Sequence, residues 1–160
     1  MRINVLGVGF DNVTMGEAVD RGMELLHSPG THYVVTPNPE IVEICRENLA
    51  ARQAVNAADL VLPDGIGVVK GAGMLGTPLK EKVPGIEFAA GLMERMAAEG
   101  LSLYLLGAKP GVAEAAGERL AAKYPGLKIA GTHDGYFKED GPVAEAIRRS
   151  GADCVFVCLG

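Results

Sequence analysis

The residues able to do chemistry fall in short stretches, each placed just after a run of apolar residues. Thr36-Pro37-Asn38-Pro39-Glu40 is the first. Its two prolines fix φ and leave the backbone between them little freedom, so the Thr36 hydroxyl and the Asn38 amide are held in place. A helix starting there would present the positive end of its macrodipole, which favours an anion. Asn38 followed by Pro39 is equally the pattern of a plain helix cap with proline at the first helical position. In Pro63-Asp64-Gly65-Ile66-Gly67, a carboxylate at a strand end with glycines beside it suits general-base work on a ligand lying close to the backbone. Asp64 would also serve as an ordinary cap for the helix that follows.

Gly107-Ala108-Lys109-Pro110-Gly111 offers backbone N–H groups and a lysine to a phosphate, although no G-K-[ST] follows and it is not a Walker A loop. A structural turn explains it about as well. In Gly131-Thr132-His133-Asp134-Gly135-Tyr136-Phe137 the adjacent His133 and Asp134 invite pairing, but neighbours in sequence rarely point at one another. Tyr136 is better read as part of an aromatic platform for a base or a sugar. Gly7-Val8-Gly9-Phe10-Asp11-Asn12 begins like a dinucleotide fingerprint but has Asn12 in place of the third glycine, which favours a tight surface turn. The run from Gly65 to Gly71 imitates a nucleotide-binding glycine pattern only weakly. His27 and His32 have no evident partner. No D-x-D pair, H-E-x-x-H or His/Cys cluster suggests a protein-held metal, and no G-x-S-x-G elbow suggests a serine hydrolase.

These stretches must be positioned by alternating strands and helices. Strands are expected over residues 2–8, 33–35, 59–62, 101–106, 127–130 and 154–159. Helices are expected over 15–27, after Asn38-Pro39, and over 65–75, 86–98, 110–123 and 143–149. Thr14 with Glu17 forms a capping box for the first helix. Ile41, Ile44, Cys45 and Leu49 share one face of the second. Short apolar strands separated by helices imply an α/β, Rossmann-like, mainly parallel sheet with helices on both faces, whose ligands bind beyond the carboxyl ends of the strands. Residues 76–85, with two prolines and two lysines and no periodicity, read as a mobile loop.

The 160 residues suit a single domain of 48% apolar and 22% charged residues, which is globular composition. A net charge of −5 argues against nucleic acid as a partner. No apolar run approaches the ~20 residues needed to cross a bilayer, and no signal peptide is evident. Three cysteines without CxxC spacing indicate neither a disulfide framework nor a zinc site. A cytosolic, reduced protein is the expectation.

In order, TPNPE, LPDGIGVV, KVPGIEF, LYLLGAKPGVAE and GYF resemble the WecG/TagA/CpsF family of bacterial glycosyltransferases (glycosyltransferase family 26), most closely its TagA type. The likeness runs from about residue 5 to residue 160. It implies inverting transfer of N-acetylmannosamine from a UDP-sugar to the 4-hydroxyl of N-acetylglucosamine on undecaprenyl diphosphate, a step of wall teichoic acid synthesis. Asp64 would be the catalytic base, with Thr36 and Asn38 lining the same pocket and Gly65 beside the base. The loop containing Gly107, Lys109 and Gly111 would face the donor nucleotide or its diphosphate. Lys82 and Glu87 stand where many relatives carry Arg and Asp; a lysine keeps the charge but cannot form the bidentate fork of arginine on a phosphate. Without D-x-D, helix N-termini and lysines would have to stabilise the leaving diphosphate, so metal-independent catalysis is expected.

Family members usually continue past the last strand with a P-K-Q-E-like motif and a basic tail, so a further C-terminal segment is expected to follow the single catalytic domain formed by residues 1–160. That segment would carry the contact with the membrane surface. The resemblance also implies a peripheral protein at the inner face of the cell membrane, and a homo-oligomer is plausible from its apolar loops. Two rivals remain. An NAD(P)-dependent oxidoreductase needs a complete glycine fingerprint and an acidic residue after the next strand. A non-catalytic oligomerising module would bind a nucleotide sugar without turning it over.

Overall fold

The computed structural model describes residues 1–160 as an α/β protein with seven helices and seven strands, in two compact units, Met1–Leu92 and Met93–Gly160. In the first unit, β1 (Arg2–Val5) and β2 (Val8–Asp11) form an antiparallel hairpin closed by the pair Val5↔Val8. The expected single strand over residues 2–8 is therefore two strands joined by Leu6-Gly7. Both turn residues have positive φ, 52° and 95°, which is the handedness that two-residue hairpin loops require. Leucine is a poor candidate for that conformation, so the turn carried no Asn-Gly or Asp-Gly signal. It is held instead by Asn4, whose Oδ1 accepts the Gly7 N–H at 3.0 Å. Gly7 and Gly9 thus belong to a hairpin and not to a strand-to-helix turn, so no dinucleotide fingerprint is built here.

Asn56 clamps this hairpin from the end of α3 (Leu49–Asn56), accepting the Gly9 N–H and donating to the Gly7 carbonyl, both at 2.8 Å. The neighbouring Arg2 donates to the carbonyls of Asn56 and Ala58 and pairs with Asp11. Asp11 in turn accepts the Val61 N–H at 2.8 Å, tying the hairpin to β4 (Leu60–Val61). β4 pairs in parallel with β3 (Val34–Val35). The core on this side joins Ile3, Val5, Val8 and Phe10 of the hairpin to Val42, Cys45, Val61, Val68 and Ala72.

The expected second helix is two, α2 (Pro39–Glu47) and α3, broken where the Asn48 side chain caps Ala51. Its buried face is Val42 and Cys45; Ile41, Ile44 and Leu49 are exposed. The break at Asn48 turns α3 away, so one continuous helical stripe through Leu49 does not exist. Elsewhere in the unit, α1 (Met15–His27) meets the first half of α5 (Gly85–Glu99) where Gly22 lies against Phe88 and Leu92, and Gly91 against Val19. A methyl on either glycine would come within 3.0 Å of the facing side chain. Between α4 (Ile66–Met74) and α5, residues 76–85 are irregular but pinned rather than mobile. Leu79 and Val83 are buried, Lys80 pairs with Glu17 at 2.8 Å, the Lys80 N–H bonds to Asn12, and Glu81 accepts the Met15 N–H. Glu17 also completes the capping box with Thr14, and the Lys80 ammonium, followed by the Thr14 N–H, lowers its pKa.

In the second unit the sheet order is β6-β5-β7, all parallel: β5 (Ser102–Gly107), β6 (Lys128–His133) and β7 (Cys154–Cys158). Alternation along β5 sends Tyr104 and Leu106 towards Val143 and Ile147 of α7 (Asp140–Ser150). Leu105 faces the other way, onto Gly117 of α6 (Val112–Lys123). The two helices therefore cover opposite faces. The register of β6 slips after Leu103↔Ile129, so Tyr104 pairs with Gly131. That bulge lets Ile129 and Thr132 both contact the Gly117 side, and it lengthens β6 beyond the expected four residues.

His32 does have a partner, contrary to the sequence expectation. Its Nδ1 lies 3.1 Å from Asp59 Oδ1, while Asp59 Oδ2 accepts the Tyr33 N–H at the start of β3. Asp59 raises the His32 pKa, and the Tyr33 N–H and then His32 lower that of Asp59. The raised histidine adds stability below its ordinary pKa of 6.5, lost as pH rises through the folded value; the lowered carboxylate adds stability above 3.8, lost on acidification. The melting-temperature difference between wild type and His32→Gln should therefore be largest between those two values and shrink on the alkaline side. A difference independent of pH would contradict the ion pair. Asn56→Ala should cost about 2 kcal/mol in denaturant unfolding, since it strands an N–H and a carbonyl of the partly buried hairpin.

Candidate active site

Two prolines end the β3–β4 ladder and set up the site. Pro37 and Pro63 are both fully buried, and neither has an N–H to extend the pairing. The carbonyls around them are still used, with Leu62 N–H bonding to Val35 and Asp64 N–H to the Pro37 carbonyl at 3.2 Å. A third segment joins from the sequence-distant residues 83–85. The Val83 N–H donates to the Pro63 carbonyl at 2.8 Å, and the Gly85 N–H donates to Asp64 Oδ2 at 3.0 Å. Gly85 also lies against Thr36: a Cβ built on it would sit 2.9 Å from Thr36 Oγ1. TPNPE, LPDGIG and KVPGIEF thus converge on Thr36 and Asp64.

Asp64 is half-buried, and its Oδ1 accepts no hydrogen bond from the protein. It does not cap α4, whose N-cap is Gly65 with no side-chain bond. Its one bond is to the first residue of α5, so its carboxylate faces the positive end of that helix. Other carboxylates near strand ends are fully engaged. Asp11 divides its oxygens between Arg2 and Val61, and Asp59 between His32 and Tyr33. Asp64 differs in keeping an oxygen available.

Asn38 is the helix cap that its sequence allowed, its Oδ1 accepting the Ile41 N–H at 2.9 Å. Its amide nitrogen makes no hydrogen bond within the protein. Glycine after Asp64 has two local causes, packing at residue 67 and backbone conformation at residue 65. A Cβ on Gly67 would lie 2.7 Å from the Pro39 ring and one on Gly65 3.5 Å from it, and Gly65 has a φ of 114°. Lys82 and Glu87 flank Val83-Pro84-Gly85, exposed and without a protein partner.

The second unit holds the other sequence-predicted residues. Gly107, Ala108 and Gly111 all have positive φ, and Gly111 starts α6 without a side-chain cap; the Val112 N–H bonds to the Lys109 carbonyl, and the N–H groups of Ala113 and Glu114 are open. The Cys158 carbonyl occupies the place of a Gly107 side chain, so glycine there is a steric necessity. The Ala108 carbonyl accepts the Gly135 N–H at 2.9 Å, joining the GAKPG and HDGYF loops, and Lys109 projects from the exposed tip. Asp134 Oδ1 accepts the Tyr136 N–H at 2.7 Å in a turn that leaves Tyr136 72% exposed. His133 contacts the Asp134 carbonyl and packs edge-on against Phe137, so no His–Asp catalytic pair forms. A groove of about 380 Å³ beside α6 and β6 is lined by Glu114, Glu118, Ile129 and Thr132, and two carboxylates make it unsuited to a diphosphate. Burial pushes the Cys154 thiol up to about 11, which favours the neutral thiol over the thiolate.

The contribution of Gly85 was not apparent from sequence. The available signal was a proline–glycine pair opening a helix, but nothing in the spacing of residues 64 and 85 shows that they touch.

The chain is similar to an N-acetylglucosaminyldiphosphoundecaprenol N-acetyl-beta-D-mannosaminyltransferase of Staphylococcus aureus strain NCTC 8325 / PS 47, 35% identical over 162 residues. The proteins of the same name from strains COL and MRSA252 match equally, at 35% identity. The match takes in 99% of this chain but 63% of each relative's length. The model of the glycosyl transferase WecG/TagA/CpsF family matches residues 3–160. With that match over nearly its whole length, on a chain in which the three ordered motifs meet around one carboxylate, the protein belongs to the WecG/TagA/CpsF family of glycosyl transferases.

Proposed function

We propose that this protein is an inverting glycosyltransferase that moves N-acetylmannosamine from UDP-N-acetylmannosamine to the 4-hydroxyl of N-acetylglucosamine on undecaprenyl diphosphate. The observation that carries the reading is the state of Asp64: one oxygen is held by the N–H of Gly85, the glycine that also packs against Thr36, and the other is open. The names of the Staphylococcus aureus relatives support the sugar and the lipid-linked acceptor.

In this mechanism Asp64 Oδ1 takes the proton of the acceptor hydroxyl as its oxygen attacks the anomeric carbon. The new C–O bond forms on the face opposite the departing UDP, whose bond to the sugar breaks with the electron pair leaving on the diphosphate. One positioned carboxylate is sufficient for that proton transfer. Thr36 and the Asn38 amide would orient the acceptor through hydroxyl contacts. The loop of Gly107, Lys109 and Gly111 has the open amides and cationic side chain that a nucleotide diphosphate requires, and Tyr136 has the exposed ring for stacking.

No helix is long and apolar enough to cross a membrane. We propose a peripheral protein at the inner membrane surface, a reading supported by the lipid-linked acceptor in the names of its relatives. Lys82 would add positive charge near the base. The oxidoreductase alternative is weakened by the hairpin that occupies Gly7 and Gly9.

Asp64→Asn should lower UDP release by about a hundredfold or more, with the melting temperature little changed, since general-base catalysis typically supplies that factor. Near-normal turnover would remove Asp64 from the role. Turnover should also survive a chelator, because lysines and helix amides are assigned to the leaving group; loss restored only by a divalent cation would show otherwise.

A further inference from the structure

Within the KVPGIEF motif, Gly85 has no role in the chemistry assigned above, yet it touches both Asp64 and Thr36. Gly85 makes two separate contacts. Its N–H donates to Asp64 Oδ2 at 3.0 Å. Its missing side chain leaves the space that the Thr36 side chain fills, because a Cβ would stand 2.9 Å from Oγ1, 3.1 Å from Cγ2 and 3.2 Å from Cβ of Thr36. Real Cβ atoms essentially never approach to the first of these distances, and a β-branched threonine has few rotamers to escape into. Positive φ is not the reason for glycine here, since residue 85 is not among those with left-handed backbone.

The backbone around Gly85 cannot easily give way. Two residues earlier, the Val83 N–H is bonded to the Pro63 carbonyl, immediately before Asp64, and the Val83 side chain is fully buried. Three residues later, Phe88 is buried against Gly22 of α1, and its N–H bonds to the Pro84 carbonyl. The start of α5 is therefore fixed on both sides of the contact.

We propose that Gly85 is the positioning residue of the transfer reaction: its amide sets the rotation of the Asp64 carboxylate so that Oδ1 faces the acceptor, and its bare Cα lets the Thr36 hydroxyl stand beside it. This rests on Asp64 being the base. The hydrogen bond occupies one oxygen and thereby selects the other for proton abstraction. A methyl group at residue 85 displaces Thr36 or lifts the amide from Asp64, and either spoils the alignment of base and acceptor without touching the donor.

The test is a mutant cycle on UDP release from UDP-N-acetylmannosamine with a short-chain lipid-linked N-acetylglucosamine acceptor. Gly85→Ala should lower kcat by about tenfold or more, as misplacements of this size do, while KM for the donor moves by less than about threefold. In an Asp64→Asn background the same substitution should cost less than about twofold, since there is no base left to misplace. Adding Thr36→Ser, which removes the Cγ2 methyl and frees the hydroxyl to rotate, should recover part of the loss. An unchanged kcat in Gly85→Ala, or an equal loss in both backgrounds, overturns the proposal. Near-normal turnover in Asp64→Asn alone overturns the general-base reading instead, so the two failures are distinct.

Two readouts need no turnover. The Gly85 amide proton resonance should move upfield in Asp64→Asn while that of Phe88 stays, and a Gly85 resonance that does not move refutes the contact. A crystal structure of Gly85→Ala should show Thr36 Oγ1 displaced or the Asp64–residue 85 bond broken; both unmoved also refutes it.

Discussion

Pro63 is the hinge on which the first unit's chemistry depends. It is fully buried, it follows a strand of only two residues, and its carbonyl accepts the Val83 N–H from a segment twenty positions later in the chain. That single backbone bond brings the start of α5 alongside Asp64. Without it the carboxylate would emerge from a strand end into solvent, as strand-end carboxylates commonly do, with both oxygens free to rotate. With it, one oxygen meets an amide and the other is left facing outward. The pinning of residues 76–85 supports the same contact from the far side, because Lys80 and Glu81 tie that segment to the capped N-terminus of α1.

Several glycines serve the close approach of one element to another. Gly67 makes room for Pro39, Gly131 for the Tyr104 ring, Gly107 for the Cys158 carbonyl and Gly22 for Phe88. In each case the missing side chain lets two elements lie closer than a Cβ would permit, which is how close-packed interiors convert a small residue into a fixed geometry. Glycine-rich strand ends in such a fold therefore mix two causes. The space a Cβ would enter separates a glycine needed by a neighbour, such as Gly67, from one left open at a loop tip, such as Gly111, whose Cβ would meet nothing within 4 Å.

Periodicity and capping chemistry made most helices legible: the Thr14–Glu17 capping box and the Asn38 cap are both present as their residue types imply. The parallel pairing was legible too, from apolar strands separated by helices. What escaped was set by tertiary contact. The hairpin turn uses a leucine with positive φ, rescued by Asn4, and the helix after Asn38 breaks because a second asparagine, Asn48, offers a competing cap. His32 and Asp59 meet across a separation of 27 positions, which no local pattern signals. At the site, Asp64 and Thr36 were readable as residue types at strand ends, whereas Gly85 was not, because its contribution is an amide and an absence.

The distribution of hydrogen bonds among carboxylates separates structural from reactive groups more sharply than position does. Asp11, Asp59 and Asp64 all stand in or next to the short strands of the first unit. Asp11 holds a hairpin to β4 and Asp59 holds β3 to a histidine, each using both oxygens. A carboxylate so engaged cannot accept a proton without breaking the bonds that fix it, so chemistry there would compete with folding. Asp64 is anchored by one oxygen only, and its anchor is a backbone amide that can remain in place whichever way the other oxygen is protonated. Proton transfer at Oδ1 therefore leaves the scaffold intact, which is the condition a base must meet if it is to act on every turnover and return to the same position.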